Sequence, residues 1–297
     1  MSSQLLIFAL LIGGLVFSFI LFFALRIAGD KLIFEKKSRY HHIMVYEDGH
    51  IRTLFLGSGP DDGKQSRIDL NEPDELLLEY TKLVFAALMI KDKPERFLII
   101  GLGGGTLPCA IARYIPDAVI DVVDIDPDVV KVAEKFFFFD PGDNIKVHIA
   151  DGRTFIREAA QNNTFSKYDM IIIDAFNSCS TPRHLTTKEF LKEMMLILNP
   201  EGVVATNALI DSKLFHSILK TYRKVFTRCY LFMGGLAQNA VLISPGPEAP
   251  DLDSKQAEIR AESLQKLYHF NFSMVSVARQ FRPRYSPRMS AKVLSDQ

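Results

Sequence analysis

A glycine-rich turn and three aspartates carry the chemistry this sequence could perform. Gly101, Gly103 and Gly105 lie in Ile99-Ile100-Gly101-Leu102-Gly103-Gly104-Gly105, a G-x-G-x-G run. At a strand-to-helix turn, glycine lets the backbone approach a ligand and take dihedrals closed to other residues. The spacing is not the dinucleotide fingerprint G-x-G-x-x-G, because Thr106 stands where its third glycine would fall. About twenty residues on, Val122-Val123-Asp124-Ile125-Asp126 offers an acid that can accept hydrogen bonds from both hydroxyls of a ribose. Asp151-Gly152 and Asp174 follow in the same series. Any one of these acids alone could be a helix N-cap or turn residue. Their order after the glycine turn points instead to a nucleoside-type ligand. No His, Cys and acid cluster has metal-ligand spacing, and G-x-S-x-G is absent, so neither a metal site nor a nucleophilic serine is expected.

The elements that must position these residues alternate. Short apolar runs at 97–100, 119–123, 145–149, 170–173, 203–206, 230–233 and 241–243 read as strands, with helical stretches between most of them. Nearly unbroken apolar strands separated by helices imply a Rossmann-like, seven-stranded, mostly parallel sheet covered on both faces. Its acids and glycines then fall at the C-terminal ends of the strands, where open α/β sheets bind ligands. Before it, β-forming residues around Glu47-Asp48-Gly49-His50 predict a small hairpin at 42–55. A helical stretch is expected from Pro73-Asp74-Glu75 to about Ile90. After Pro250 a single helix is expected from about 254 to 280, then a basic tail with Arg282, Arg284, Arg288 and Lys292. The tail reads either as a flexible solvated end or as a contact for anionic lipid. Phe136-Phe137-Phe138-Phe139 reads as a helix end packed into the core in preference to a partner or membrane contact.

The 297 residues hold 35 Lys and Arg against 35 Asp and Glu, a balance unlike that of domains binding nucleic acid by bulk charge. Cys109, Cys179 and Cys229 form no C-x-x-C and read as reduced thiols. No charged residue occurs from position 5 to 25, and at about 1.5 Å rise per residue that run spans a bilayer. The expectation is a transmembrane anchor over 1–30, with the positive charges after it placing the remaining chain in the cytosol. The boundaries expected are an anchor at 1–30, a hairpin subdomain at 31–72, the α/β domain at 73–250, a C-terminal helix at 251–281 and the tail at 282–297.

From about residue 65 to 202 the chain resembles the spermidine synthase-like branch of the class I S-adenosylmethionine-dependent methyltransferase fold. The residues carrying the resemblance are Gln65 with Pro73-Asp74-Glu75, the Gly101 to Gly105 turn, Val123-Asp124-Ile125-Asp126, Ala150-Asp151-Gly152-Arg153-Thr154-Phe155, Tyr168-Asp169-Met170-Ile171-Ile172-Ile173-Asp174-Ala175-Phe176 and Leu185-Thr186-Thr187-Lys188-Glu189-Phe190. It implies that Asp124 binds ribose, that Asp151 and Gly152 lie against adenine, and that the glycine turn holds the thioether part. Asp174 would then face the reacting centre as base or orienter, with His184 and Tyr222 as weaker candidates. The implied donor is S-adenosylmethionine or its decarboxylated form, and the implied partner an amine-bearing acceptor, protein or small molecule.

The departures from the family steer the expected reaction. Where aminopropyltransferases carry an aspartate in the glycine turn, this chain has Gly104. Their Asp-x-x-Asp loop reads Asp174-Ala175-Phe176-Asn177, and their Tyr-His/Gln pair matches Leu78-Glu79. Seating a polycation calls for compensating carboxylates, and several are missing. The expectation is therefore a membrane-anchored methyltransferase acting on an amine. The alternatives are an aminopropyltransferase using decarboxylated S-adenosylmethionine and a non-catalytic nucleoside-binding protein. A homodimer is compatible with any of them.

Overall fold

The computed structural model describes residues 31–57, 64–162, 165–176, 181–234 and 238–296. Strands β1 (Lys31–Lys37), β2 (His42–Asp48), β3 (Ile51–Leu56) and β4 (Ser66–Asp69) pair antiparallel in that order. The expected hairpin is thus the middle of a four-stranded sheet. Alternation places Ile43, Val45, Leu54, Leu56 and Ile68 on one face, where they pack on Val129 and Val132 of a helix of the larger domain. The charges of Lys31, Glu35, Lys36 and Lys37 hide the strand period of β1 in the sequence.

The second sheet contains β5 (Arg96–Ile100), β6 (Val119–Asp124), β7 (Ile145–Ile149), β8 (Tyr168–Ile173), β9 (Leu198–Leu209), β10 (Tyr230–Met233) and β11 (Asn239–Pro245). Its order is β10-β11-β9-β8-β5-β6-β7, parallel from β9 to β7, with β10 and β11 antiparallel. Successive residues feed opposite cores, with Phe97 and Ile99 on one side and Leu98 and Ile100 on the other. Helices α2 (Thr106–Tyr114) and α3 (Pro127–Phe136) cover the first side. Helices α4 (Gly152–Gln161), α5 (Lys188–Ile197) and α6 (Phe215–Val225) cover the second. The chain lays β6 and β7 to one side of β5 and then returns to lay β8 on the other. This reversal leaves a crevice beyond the C-terminal ends of β5 and β8, the place where such sheets take ligands.

Several expectations need correction. The stretch from Pro73 is helical only from α1 (Glu79–Val84), continued by a 3₁₀ segment at Phe85–Met89. The single helix expected over 254–280 is two, α7 (Ser254–Tyr268) and α8 (Met274–Ala278). His269, at φ +51°, ends the first, and the Ser273 hydroxyl accepts from Ser276 N–H to start the second. The phenylalanine run splits: Phe137 and Phe139 are buried, while Phe138, at φ +56°, is exposed. The basic tail is not a free end; residues 282–296 run along α6, with Arg223 donating to the Tyr285 carbonyl at 2.8 Å and Lys220 to that of Ala291 at 2.8 Å.

The transmembrane helix expected over 1–30 has no support among the described residues. The run at 5–25 lies outside the described residues, and among those described no helix is long and apolar enough to cross a membrane. The described architecture is the Rossmann-like α/β domain with its small antiparallel sheet, and no described element supports the membrane location drawn from the anchor.

Candidate active site

A cavity of about 560 Å³ opens at the ends of β5, β6, β7 and β8. Gln65, Gly101, Gly103, Asp124, Asp151, Gly152 and Asp174 all line it. Gly105 does not; it sits in the left-handed region at the head of α2, packed against Phe139. Gly101 is required by close approach. At its φ of +101°, a Cβ would stand 2.4 Å from the carbonyl oxygen of Asp174, so only glycine lets the tips of β5 and β8 touch.

Asp124 closes β6, and both of its oxygens are in use. Oδ2 accepts from Leu102 N–H at 2.9 Å, which fixes the glycine turn, and Oδ1 accepts from Asp126 N–H at 2.9 Å. Burial raises its pKa against these two hydrogen bonds. A carboxylate oxygen has two lone-pair sites, so each keeps one free for a ribose hydroxyl. Next to it, the buried Asp126 accepts from the Ser38 hydroxyl and pairs with His41 Nδ1 at 3.0 Å. Tyr40 and His41, from the turn between β1 and β2, thereby become part of the cavity wall.

Asp151 is the N-cap of α4. Its Oδ1 accepts from Thr154 N–H at 2.9 Å and its Oδ2 pairs with His184 Nε2 at 2.9 Å. Partial burial pushes its pKa up, but these bonds outweigh it and hold the carboxyl below the usual range. His184, on the cavity rim and half exposed, orients Asp151. Tyr222 is a core residue, fully buried with its hydroxyl on Thr206 Oγ1 at 2.8 Å.

Asp174 follows β8 at the floor of the crevice. The Tyr80 hydroxyl donates to its Oδ2 at 3.0 Å and Asn207 Nδ2 donates to its Oδ1 at 2.8 Å. Asn239 on the neighbouring strand donates in turn to Asn207 Oδ1 at 2.9 Å, which fixes the amide's orientation. Burial pushes the Asp174 carboxyl up to about 7, against the two hydrogen bonds that favour its charged form. A carboxyl titrating near neutrality, with one lone pair free on each oxygen, can accept a proton from an amine.

Residues 78–235 match the spermine/spermidine synthase domain. The polyamine aminopropyltransferase of Vibrio vulnificus (strain CMCP6) is 37% identical over 244 residues, covering 80% of this chain and 81% of its own length. The chain belongs to the spermine/spermidine synthase family. The eEF1A lysine and N-terminal methyltransferase of Bos taurus is 35% identical over 171 residues, but that match covers 52% of this chain and 24% of the relative. Among solved structures, the spermidine synthase of Thermotoga maritima superposes with a TM-score of 0.64 at 20% identity, over 85% of each chain, and shares the fold.

Membership in this family makes the chain a transferase and overturns the expectation of methyl transfer. The relative matching along four-fifths of both chains carries the aminopropyltransferase name, whereas the methyltransferases of Bos taurus and Xenopus laevis are matched over 24% and 32% of their own length. The structure also revises two of the departures from the synthase pattern. The tyrosine serving Asp174 is Tyr80, two positions beyond the Leu78 expected to hold its place. At Gly104, the space for a side chain is taken by Ser66 and Phe137, whose atoms would lie 2.9 and 3.0 Å from a Cβ. The Gly104 N–H donates instead to Ser66 Oγ at 2.8 Å. The glycine there is part of a local repacking with Ser66. Asn177 lies outside the described residues. Tyr80, Asn207, Ser66 and His41 are the site residues that motif reading missed; of these, Asn207 alone left a signal, as an amide inside an apolar strand.

Proposed function

We propose that this synthase-family chain is a polyamine aminopropyltransferase, moving the aminopropyl group of decarboxylated S-adenosylmethionine to an amine such as putrescine or spermidine. The observation that carries the reading is Asp174, a carboxyl group at the cavity floor held by Tyr80 and Asn207 and titrating near 7. The lining supports a cationic donor. Asp124, Asp151, Asp174 and Asp296 face the cavity, and Arg183 is the single Arg or Lys among its described lining residues. Arg183 neighbours His184 at the Asp151 end, so nothing described beside Asp174 would offset the extra carboxylate of S-adenosylmethionine.

In this reading Asp124 holds the ribose, the Asp151-Gly152 turn flanks the adenine, and the glycine turn supports the sulfonium. Asp174 binds the acceptor ammonium and takes its proton. The freed nitrogen lone pair attacks the aminopropyl carbon next to sulfur, a carbon–nitrogen bond forms, and the carbon–sulfur bond breaks with its electron pair on sulfur. The products are a secondary ammonium and methylthioadenosine, and the proton on Asp174 passes to solvent. Little covalent chemistry falls to the protein; alignment in a closed site supplies about 7–11 kcal/mol in favourable cases.

The test is incubation of the full chain with putrescine or spermidine and either form of the donor, with mass detection of products. Methylthioadenosine and an aminopropylated amine, formed only from the decarboxylated donor, are expected. No product from that donor with either amine overturns the reading.

A further inference from the structure

The cavity has a wall that belongs to none of the sheet's strand tips or loops. Ser295 and Asp296, near the end of the tail, line it. The tail reaches this point by a series of specific bonds. Leu294 N–H donates to Thr221 Oγ1 at 2.8 Å, and the Leu294 carbonyl accepts from Lys188 N–H, in the first turn of α5, at 2.9 Å. Asp296 N–H donates to Glu189 at 2.9 Å, and its Oδ1 accepts from the Thr187 hydroxyl at 2.8 Å.

The Asp296 carboxylate also grips Arg153 with two bonds, NH1 to Oδ1 at 2.8 Å and NH2 to Oδ2 at 2.6 Å. Arg153 is buried in the first turn of α4, directly after Asp151-Gly152. Its guanidinium binds Glu193 of α5 at 2.7 and 2.8 Å and donates to the His184 carbonyl at 3.3 Å. One planar cation therefore ties the Asp151-Gly152 turn, the 182–185 wall, α5 and the tail. Bidentate charge-assisted bonds of this kind fix geometry as well as adding energy. Glu193 also accepts from Arg157 at 2.9 Å, so two arginines share two acids, and Asp296 is the one of these acids that the tail brings to the cavity. The second carboxylate is placed where it positions the wall.

We infer that residues 294–296 form a C-terminal strap over the nucleoside end of the cavity, and that Asp296, acting through Arg153, is a positioning residue for the donor. The inference rests on the reading of this cavity as the donor site. Through Arg153 the strap ties the 182–185 segment to the Asp151-Gly152 turn at the end of the cavity assigned to adenine. The acceptor end, at Asp174 and Tyr80, is untouched by it.

The experiment uses the full chain, wild type, Asp296→Ala and Arg223→Ala, the last removing a tail bond remote from the cavity. Calorimetry with methylthioadenosine gives Kd, and kinetics give KM for donor and acceptor separately. In Asp296→Ala, Glu193 still binds Arg153 at two points, and a thermal melt checks that the variant is folded. The variant is expected to weaken methylthioadenosine binding and raise the donor KM by about tenfold, with the acceptor KM unchanged, while Arg223→Ala leaves Kd as in wild type. Equal Kd for wild type and Asp296→Ala, or a loss of the same size in both variants, overturns the strap. Failure of the wild type to bind methylthioadenosine overturns the donor-site reading instead.

Discussion

The Tyr80 hydroxyl meets Oδ2 of Asp174 at 3.0 Å, joining a helix that precedes the sheet to a residue 94 positions later. Tyr80 is held protonated, because burial first and the nearby Asp174 charge second push its pKa well above the usual value. It is therefore a fixed donor. Replacing it with phenylalanine removes one of the two bonds that stabilise charge on Asp174, so that carboxyl titrates higher. In Tyr80→Phe, turnover with saturating substrates should fall about tenfold at pH 7 and recover partly at higher pH, as read from a rate profile.

In the wild type, turnover should rise with pH through about 7 as Asp174 loses its proton. Stability should move the other way. The folded carboxyl is raised above its unfolded value, so its contribution is complete at acid pH and is lost as the pH rises through about 7. Asp174→Asn should accordingly be inactive yet more stable than wild type at pH 8, by at most about 4 kcal/mol. Urea denaturation of both at pH 5 and 8 checks this; a gap that does not widen with pH contradicts it.

Asn239 acts on Asp174 only through Asn207. Asn207→Leu removes a donor to the carboxylate and should shift the rate profile to higher pH. Asn239→Ala leaves that donor in place but frees the amide to rotate, so a smaller shift in the same direction is expected.

Restoring the family aspartate in the glycine turn should harm the protein. In Gly104→Asp, a Cβ must displace Ser66 and Phe137, which is worth about 1–3 kcal/mol of overpacking. Combining it with Ser66→Gly should recover part of that loss in a thermal melt, because Ser66 is the nearest obstacle.

Asp124→Ala should abolish binding of methylthioadenosine and also lower stability by about 2 kcal/mol, since it leaves two buried N–H groups without acceptors. Calorimetry and a melt read the two effects separately.

The strands at Ile145–Ile149 and Tyr230–Met233 are where apolar runs bounded by polar residues place them. Strand β9 starts at Leu198, earlier than the expected 203, because the turn-like composition of Asn199-Pro200-Glu201-Gly202 hides its first residues; a register shift between Tyr168 and Met170 absorbs them within the ladder. The acids of the site were legible because each follows an unmistakable strand. Tyr80 was not, since at helical spacing it reads as one more apolar contact and nothing local reveals where its hydroxyl points. The tail was misread for a similar reason. Its prolines and arginines resemble a solvated end, whereas its attachment depends on Thr187, Arg153 and Thr221, all distant in sequence.

The Asp126 carboxylate is 1% exposed and is answered from outside its own domain by Ser38 and His41. Chimaeras that exchange the four-stranded sheet between relatives must therefore carry this pair across the junction. A graft lacking them would leave this solvent-starved carboxylate with little beyond the Asp128 N–H of its own helix, and the hybrid would be weakened at the crest of the parallel sheet.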